Sequence, residues 1–381
     1  MRLVAAAAGF FLLAVVLWDS FETIVLPRRV TRYFRLTRAF YRYTWFLWSA
    51  IVRRVKRARR RETLLSYFGP LSLLTLFAVW TLGVIASFGL FHWAADSALI
   101  LNGSKRGFWT DLYLSGTTFF TLGMGDVTPR SSLARLITVV ESGTGFGLIA
   151  IVIAYLPVMY GAFSQREVNI SLMDARAGSP PTAAELLRRH AHPEQRQALT
   201  EHLSRWEVWS AELMESHLSY PVLCFFRSQH SNQSWLAALT TVLDASAFLM
   251  IYAEDKLAWQ AQLTFAIARH TVVDLSQVIY SPPLPLDEDR LPEAALANLW
   301  ESLSETGMPL RADTAQRRLG ELRSMYEPYL NGLSKRFLLP LPPWMLVHEG
   351  FDNWQRSAWK QSVTLLERFQ VRDDSEHEEQ R

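Results

Sequence analysis

Thr117-Thr118-Phe119-Phe120-Thr121-Leu122-Gly123-Met124-Gly125-Asp126 lies between two long apolar stretches, and its reading decides the fold. A loop at such a place can strip a small cation of water only by replacing the hydration shell with rings of oxygen. Backbone carbonyls supply those oxygens where the chain is held in an unusual extended form. Gly123 and Gly125, spaced by one residue, can take positive φ and turn successive carbonyls toward one axis. The Thr121 hydroxyl adds a further oxygen at one end.

The stretch resembles the potassium-channel filter, usually written Thr-Val-Gly-Tyr-Gly-Asp. Thr121, Gly123, Gly125 and Asp126 match; Leu122 replaces valine where only the backbone faces the ion; Met124 replaces the aromatic residue that packs behind the filter. A flexible thioether holds a diameter less firmly than a ring, so Met124 is the departure that bears on sodium exclusion. The resemblance covers roughly 70–160 and implies a pore helix over 108–120, a filter over 121–125 and a homotetramer, because four filters ring one axis. It also implies that Asp126 at the outer mouth, with Thr117 and Thr118, supports the filter. Trp109 and Tyr113 read either as aromatics bracing it from behind or as ordinary interfacial residues.

Half of the residues are hydrophobic, and a greasy first part is followed by a polar second part. At about 1.5 Å per residue, three stretches suffice for about 30 Å of hydrocarbon: roughly Leu3 to Leu26, Leu71 to Trp93 and Leu133 to Phe163. A cleaved signal peptide is the other reading of the first, although bulky Leu17-Trp18-Asp19-Ser20-Phe21 offers no small-x-small site. Asp19 and Glu22 near its far end read by default as interfacial, solvated acids, with facing a partner helix as the alternative.

Between the first two spans the charge is overwhelmingly basic, from Arg28 through Arg61, with Glu62 the first acid. The positive-inside rule makes this loop cytoplasmic, the amino terminus external and the carboxy-terminal part cytoplasmic, in a cell (inner) membrane. The basic cluster beside Tyr33, Tyr41, Tyr43 and Trp45 suits anionic lipid rather than nucleic acid, and 40–52 suits a helix lying in the interface.

The third span carries Glu141-Ser142-Gly143-Thr144-Gly145-Phe146-Gly147. Gly145, by its distance from the filter, stands where channels of this class carry a hinge glycine. Close helix packing is the alternative reading for it, as for Gly143 and Gly147. Glu141 is the only acid inside the span, and an intramembrane carboxylate needs water, a partner or the filter's supporting structure.

From 165 onward the chain reads as soluble helices. Thr182-Ala-Ala-Glu185 is a capping box, and Leu199, Leu203, Trp206, Trp209 and Leu213 keep a helical rhythm. The apolar run Trp235 to Ile251, broken by Thr240, Thr241 and Asp244, reads as a buried helix rather than a span. The domain plan is therefore a membrane helix over 1–27, a basic linker over 28–69 and a pore domain over 70–163 (helices 71–93 and 133–163). Helical halves over 165–280 and 281–371, divided by the proline-rich Ser281–Asp287 loop, and a disordered tail over 372–381 complete it.

No Gly-x-Gly-x-x-Gly, P-loop or cyclic-nucleotide cassette is present, so any regulatory ligand of the cytoplasmic part is unspecified. His190, His192, His202, His217, His230 and His270 lack helical pairing, and Cys224 is the only cysteine, which argues against a resident metal or disulfide. Tyr220-Pro221 with Arg227-Ser228-Gln229-His230 reads as core and cap, with a small-anion site as the alternative. The class expected is an all-α membrane protein, a tetrameric pore-loop channel with a helical cytoplasmic domain. It is expected to be no enzyme, to need no cofactor and to pass potassium as cargo. A weakly selective cation channel, or a membrane-anchored sensor with a vestigial pore, is the alternative.

Overall fold

The computed structural model describes residues 1–26, 35–96, 99–101, 107–230, 232–306, 308, 310 and 316–346. It resolves into two compact units, Met1–Ala162 and Phe163–Arg381. Part of the basic linker (27–34) and the expected tail lie outside the described residues.

In the first unit α1 (Arg2–Ser20) continues into a short wide turn, Phe21–Val25. Then come α2 (Leu36–Arg53), α3 (Ala58–Ala94), β1 (Leu99–Leu101), α4 (Phe108–Phe119), β2 (Val127–Pro129) and α5 (Ser132–Ala177). β1 and β2 pair antiparallel, Ile100 opposite Thr128, a small ribbon added to an otherwise helical chain. The core joins four helices through Val16, Trp80, Val84, Phe88, Phe119 and Leu148. Glycine makes the α1–α3 crossing close. A Cβ on Gly9 would stand 2.9 Å from the Ser87 carbonyl oxygen, and one on Gly83 2.7 Å from a Val16 methyl.

Several boundaries differ from the sequence expectation. The helix expected over 71–93 begins at Ala58, because Arg59 to Leu64 continue the helix with good formers and Pro70 sits inside it without ending it. The helix expected over 133–163 runs on to Ala177. Within the stretch assigned to the linker the helix expected over 40–52 is α2, which starts earlier, at Leu36, packs on α3 through Trp45 against Phe68 (ring centroids 4.8 Å) and donates from Trp48 Nε1 to the Leu64 carbonyl at 3.1 Å.

For the acids at the end of α1 the default solvated reading is corrected in favour of its alternative: Asp19 is 3% exposed and Glu22 is buried. Asp19 accepts from the Thr37 amide at 3.1 Å, the Thr37 hydroxyl at 2.5 Å and Trp80 Nε1 at 3.0 Å, so one carboxylate ties α1 to the first turn of α2 and to α3. Glu22 accepts from Trp18 Nε1 at 2.6 Å and faces Arg35 at 3.5 Å. A short acid near a helix end reads as solvated until its donors, 18 and 61 residues away, are placed beside it.

The second unit contains α6 (Ala183–Arg189), α7 (Arg196–Ser219), α8 (Trp235–Tyr252), α9 (Asp255–Ile279), α10 (Glu293–Glu305), α11 (Gln316–Ser324) and α12 (Glu327–Phe337). Thr182 caps α6, its hydroxyl accepting from the Glu185 amide at 3.2 Å. By length and composition α8 could cross a membrane, yet 89% of its apolar window is buried inside the helical unit. The 281–287 loop does not divide this unit in two. Leu284 donates to the Pro328 carbonyl at 2.9 Å, and Gly332 leaves room for the loop, since a Cβ there would lie 2.4 Å from the Pro282 oxygen. Arg227 belongs to a cap: its guanidinium donates to the Phe337 carbonyl at 2.6 Å, at the end of α12. Cys224 is core, and burial pushes its thiol up.

Arg166, on the α5 extension, is buried and donates to the carbonyls of Leu223 and Phe226 at 3.0 Å each and to His217 Nε2 at 3.1 Å. His190 and His202 stack with ring centroids 6.0 Å apart. Burial, followed by Arg176 and His190, holds His202 down at about 3; burial likewise lowers His190 and His217. The folded state therefore binds fewer protons than the unfolded chain between the ordinary histidine value of 6.5 and about 3. Stability is full above that window and is lost as pH falls through it. Melting of the full chain in detergent should drop by several degrees between about pH 7.5 and about pH 5, and His202→Gln should flatten the fall. An identical slope in wild type and variant would remove His202 from the account.

Candidate functional site: the loop between α4 and β2

Helix α4 stops where its last amides turn into the loop. Thr121 donates to the Thr118 carbonyl at 3.0 Å and Leu122 to the Thr117 carbonyl at 2.8 Å, so the threonine pair anchors the loop through its backbone. Thr117 is buried and its hydroxyl donates to the Leu114 carbonyl at 3.0 Å. Beyond this point φ is +55° at Thr121, +53° at Gly123 and +79° at Gly125. Left-handed residues alternate with ordinary ones, a pattern that can swing successive carbonyls to one side. At Thr121 the conformation is strained for a branched residue and is carried by the Thr118 bond.

The side chains of the loop are uncovered within one chain; Met124 is 69% exposed and Leu122 is exposed as well. Tyr113 on α4 reaches this loop: its hydroxyl, with one hydrogen to give, stands 3.5 Å from the Met124 sulfur and beside half-buried Asp126, two acceptors that share it. Trp109 does not touch the loop within the chain. It is 78% exposed and meets the ring of Phe108. Bracing and interfacial roles are equal expectations for both aromatics, and within the chain it is Tyr113 that stands against Met124.

On α5, a Cβ at Gly145 would stand 3.0 Å from the Phe119 ring and 3.2 Å from its carbonyl oxygen, so this glycine admits the end of α4. Gly143 and Gly147 have open space where a Cβ would stand. Glu141 is fully buried and hydrogen-bonded with the Ser115 hydroxyl of α4, while His92 Nε2 of α3 lies 3.6 Å from its other oxygen. Ser115 and His92 are residues the sequence reading missed. Their signal is three-dimensional, since a serine in an apolar helix and a histidine near a helix end are common and carry no spacing to Glu141. Among the described residues no group of three or more His, Cys, Asp or Glu could hold a metal ion.

Residues 75–160, which contain the apolar part of α3, α4, the loop and the first part of α5, match the family described as "Ion channel". Over its two apolar helices and the loop between them this segment is similar to that family, and the chain that carries it is a membrane protein of mainly helical build. The chain is also similar to "Uncharacterized membrane protein YdjJ" of Bacillus subtilis (strain 168). The two are 24% identical over 240 residues, 62% of this chain and 69% of that one. No solved structure matches.

Proposed function

We propose that the chain is one subunit of a potassium-selective channel in which copies surround an axis and conduct passively through the carbonyls of Thr121, Leu122, Gly123, Met124 and Gly125. The observation that carries this reading is the run of alternating left-handed residues in a loop that a single chain leaves bare. Irregular backbone at membrane depth must be surrounded by protein or water, so further copies are required. Only 17% of the apolar window of α5 is buried within one chain, which leaves most of that helix for the axis and the neighbouring subunits. Four copies close the ring of oxygens, and Asp126 at the mouth attracts cations.

In this reading the Arg-rich end of the first unit faces the cytoplasm, the loop opens outward and the protein sits in the cell membrane without enzymatic activity. Helix α2 lies in the inner interface, where exposed Tyr43, Phe46, Leu47 and Ile51 enter lipid and Arg53 and Arg54 meet anionic headgroups. In the same reading a regulatory ligand or stimulus acts on the second unit.

Weak selectivity is the second reading, favoured by a thioether at 124. The Tyr113 hydroxyl, held between the Met124 sulfur and Asp126, argues for a braced loop instead. Rubidium and sodium uptake into liposomes holding the purified chain decides between them. Rubidium is expected to enter at least about tenfold faster and barium to block it. Equal uptake of both ions would leave a non-selective cation channel, and no uptake would remove the conducting role.

A further inference from the structure

Three helices meet at one buried polar cluster behind α4. The Ser115 hydroxyl stands 2.7 Å from the Ile85 carbonyl of α3 and is hydrogen-bonded with Glu141 Oε1 of α5. His92 of α3 faces the second carboxyl oxygen, and Ser115, Glu141 and His92 are all fully buried. The close approach has a steric cause. Gly89 has no side chain where α4 crosses, and a Cβ there would stand 3.0 Å from Leu112 Cδ1 and 3.2 Å from its Cα.

The hydrogens can be counted. Ser115 has one hydroxyl hydrogen and two oxygen neighbours, a carbonyl and a carboxyl. Both contacts are hydrogen bonds at once only when the carboxyl supplies a hydrogen to the serine and the serine passes its own to Ile85. The chain then runs from α5 through α4 to α3. A buried polar network that is complete holds one arrangement firmly, and one that loses a member leaves unsatisfied groups in an apolar surround.

We infer that Glu141, Ser115 and His92 form a strut that pins α4, and through it the ion-coordinating loop, between the two spanning helices, with Glu141 acting as a positioning residue for ion selection. This rests on the pore reading above and adds to it the group that keeps the pore helix in place. His92 is the titratable group that faces Glu141, from α3.

The test uses the purified full chain carrying Glu141→Ala, Ser115→Ala or Glu141→Gln, with hydrogen exchange of the α4 amides and the rubidium-to-sodium uptake ratio as readouts. Glu141→Ala and Ser115→Ala are expected to speed α4 exchange by about tenfold or more and to lower the uptake ratio by a similar factor. Glu141→Gln is expected to stay within about twofold of wild type, because its amide N–H supplies the hydrogen the chain needs. Wild-type exchange in both alanine variants, or a glutamine variant as damaged as the alanine one, overturns the strut. A wild-type protein that fails to discriminate rubidium from sodium overturns the selectivity reading instead, and α4 exchange then judges the strut alone. If Glu141→Ala does not assemble, Ser115→Ala compared with Glu141→Gln separates the same two outcomes.

Discussion

Arg290→Ala lowers the melting temperature of the second unit by roughly 10 °C, as followed by tryptophan fluorescence in the full-length protein in detergent. Arg290 lies in the loop before α10 and is nearly buried. Its guanidinium donates to Asp244 Oδ2 at 2.5 Å, to Glu327 Oε1 at 3.2 Å and to the Pro342 carbonyl at 2.8 Å. Asp244, at the centre of α8, has no exposed surface and also accepts from the Tyr326 hydroxyl at 2.8 Å. Burial alone works against the charge of Arg290, but Asp244 and Glu327 more than offset it and raise its affinity for the proton.

Removing the cation leaves a carboxylate stranded in the most apolar helix of the unit, which costs about 3–5 kcal/mol. Glu327 keeps Arg323, whose Nε donates to it at 3.1 Å, so the damage centres on Asp244. The double change Asp244→Asn with Arg290→Met should therefore recover part of the loss. A melting temperature within about 2 °C of wild type for Arg290→Ala would mean that water reaches Asp244 and that the ion pair carries little.

Asp19→Ala has the largest expected effect in the membrane unit. Three donors converge on this carboxylate from Thr37 and Trp80; once the acid is gone the Thr37 hydroxyl can turn to Thr23, 3.1 Å away, while the Thr37 amide and the Trp80 ring nitrogen lose this acceptor. Each stranded donor costs about 1–3 kcal/mol, so the first turn of α2 should come loose from α1 and α3. Amide exchange at Thr37 and its neighbours is expected to rise by roughly a hundredfold. Asp19→Asn, which keeps one accepting oxygen, should fall between the alanine variant and wild type. Unchanged protection at Thr37 in the alanine variant would show that α2 is held without Asp19, by its packing and the Trp48 hydrogen bond on α3 and by Thr23.

Local signals were the readable ones. Gly123 and Gly125 declared their left-handed conformation because glycine tolerates it without a side-chain clash, whereas Thr121, left-handed as well, gave no such signal. Thr182 and Glu185 announced the start of α6 because a cap is made within four residues. The interruption of the α8 run by Asp244 correctly pointed to a buried helix, since a carboxylate in lipid would lack a donor that a folded unit can bring. Less was legible at the ends of α3 and α5, where charged residues that favour helix carry the chain well past the apolar part.

Amino-acid order by itself determined where apolar segments can cross a membrane, where two glycines turn the backbone left-handed between them and where α6 begins, because each depends on residues a few positions apart. Only the tertiary structure decided which polar groups share a burial site: Asp19 with Trp80, Glu141 with Ser115 and His92, and Arg290 with Asp244. A buried charge must meet its partner in space, and the distance along the chain to that partner is set by how whole helices pack, which no short spacing in the sequence records.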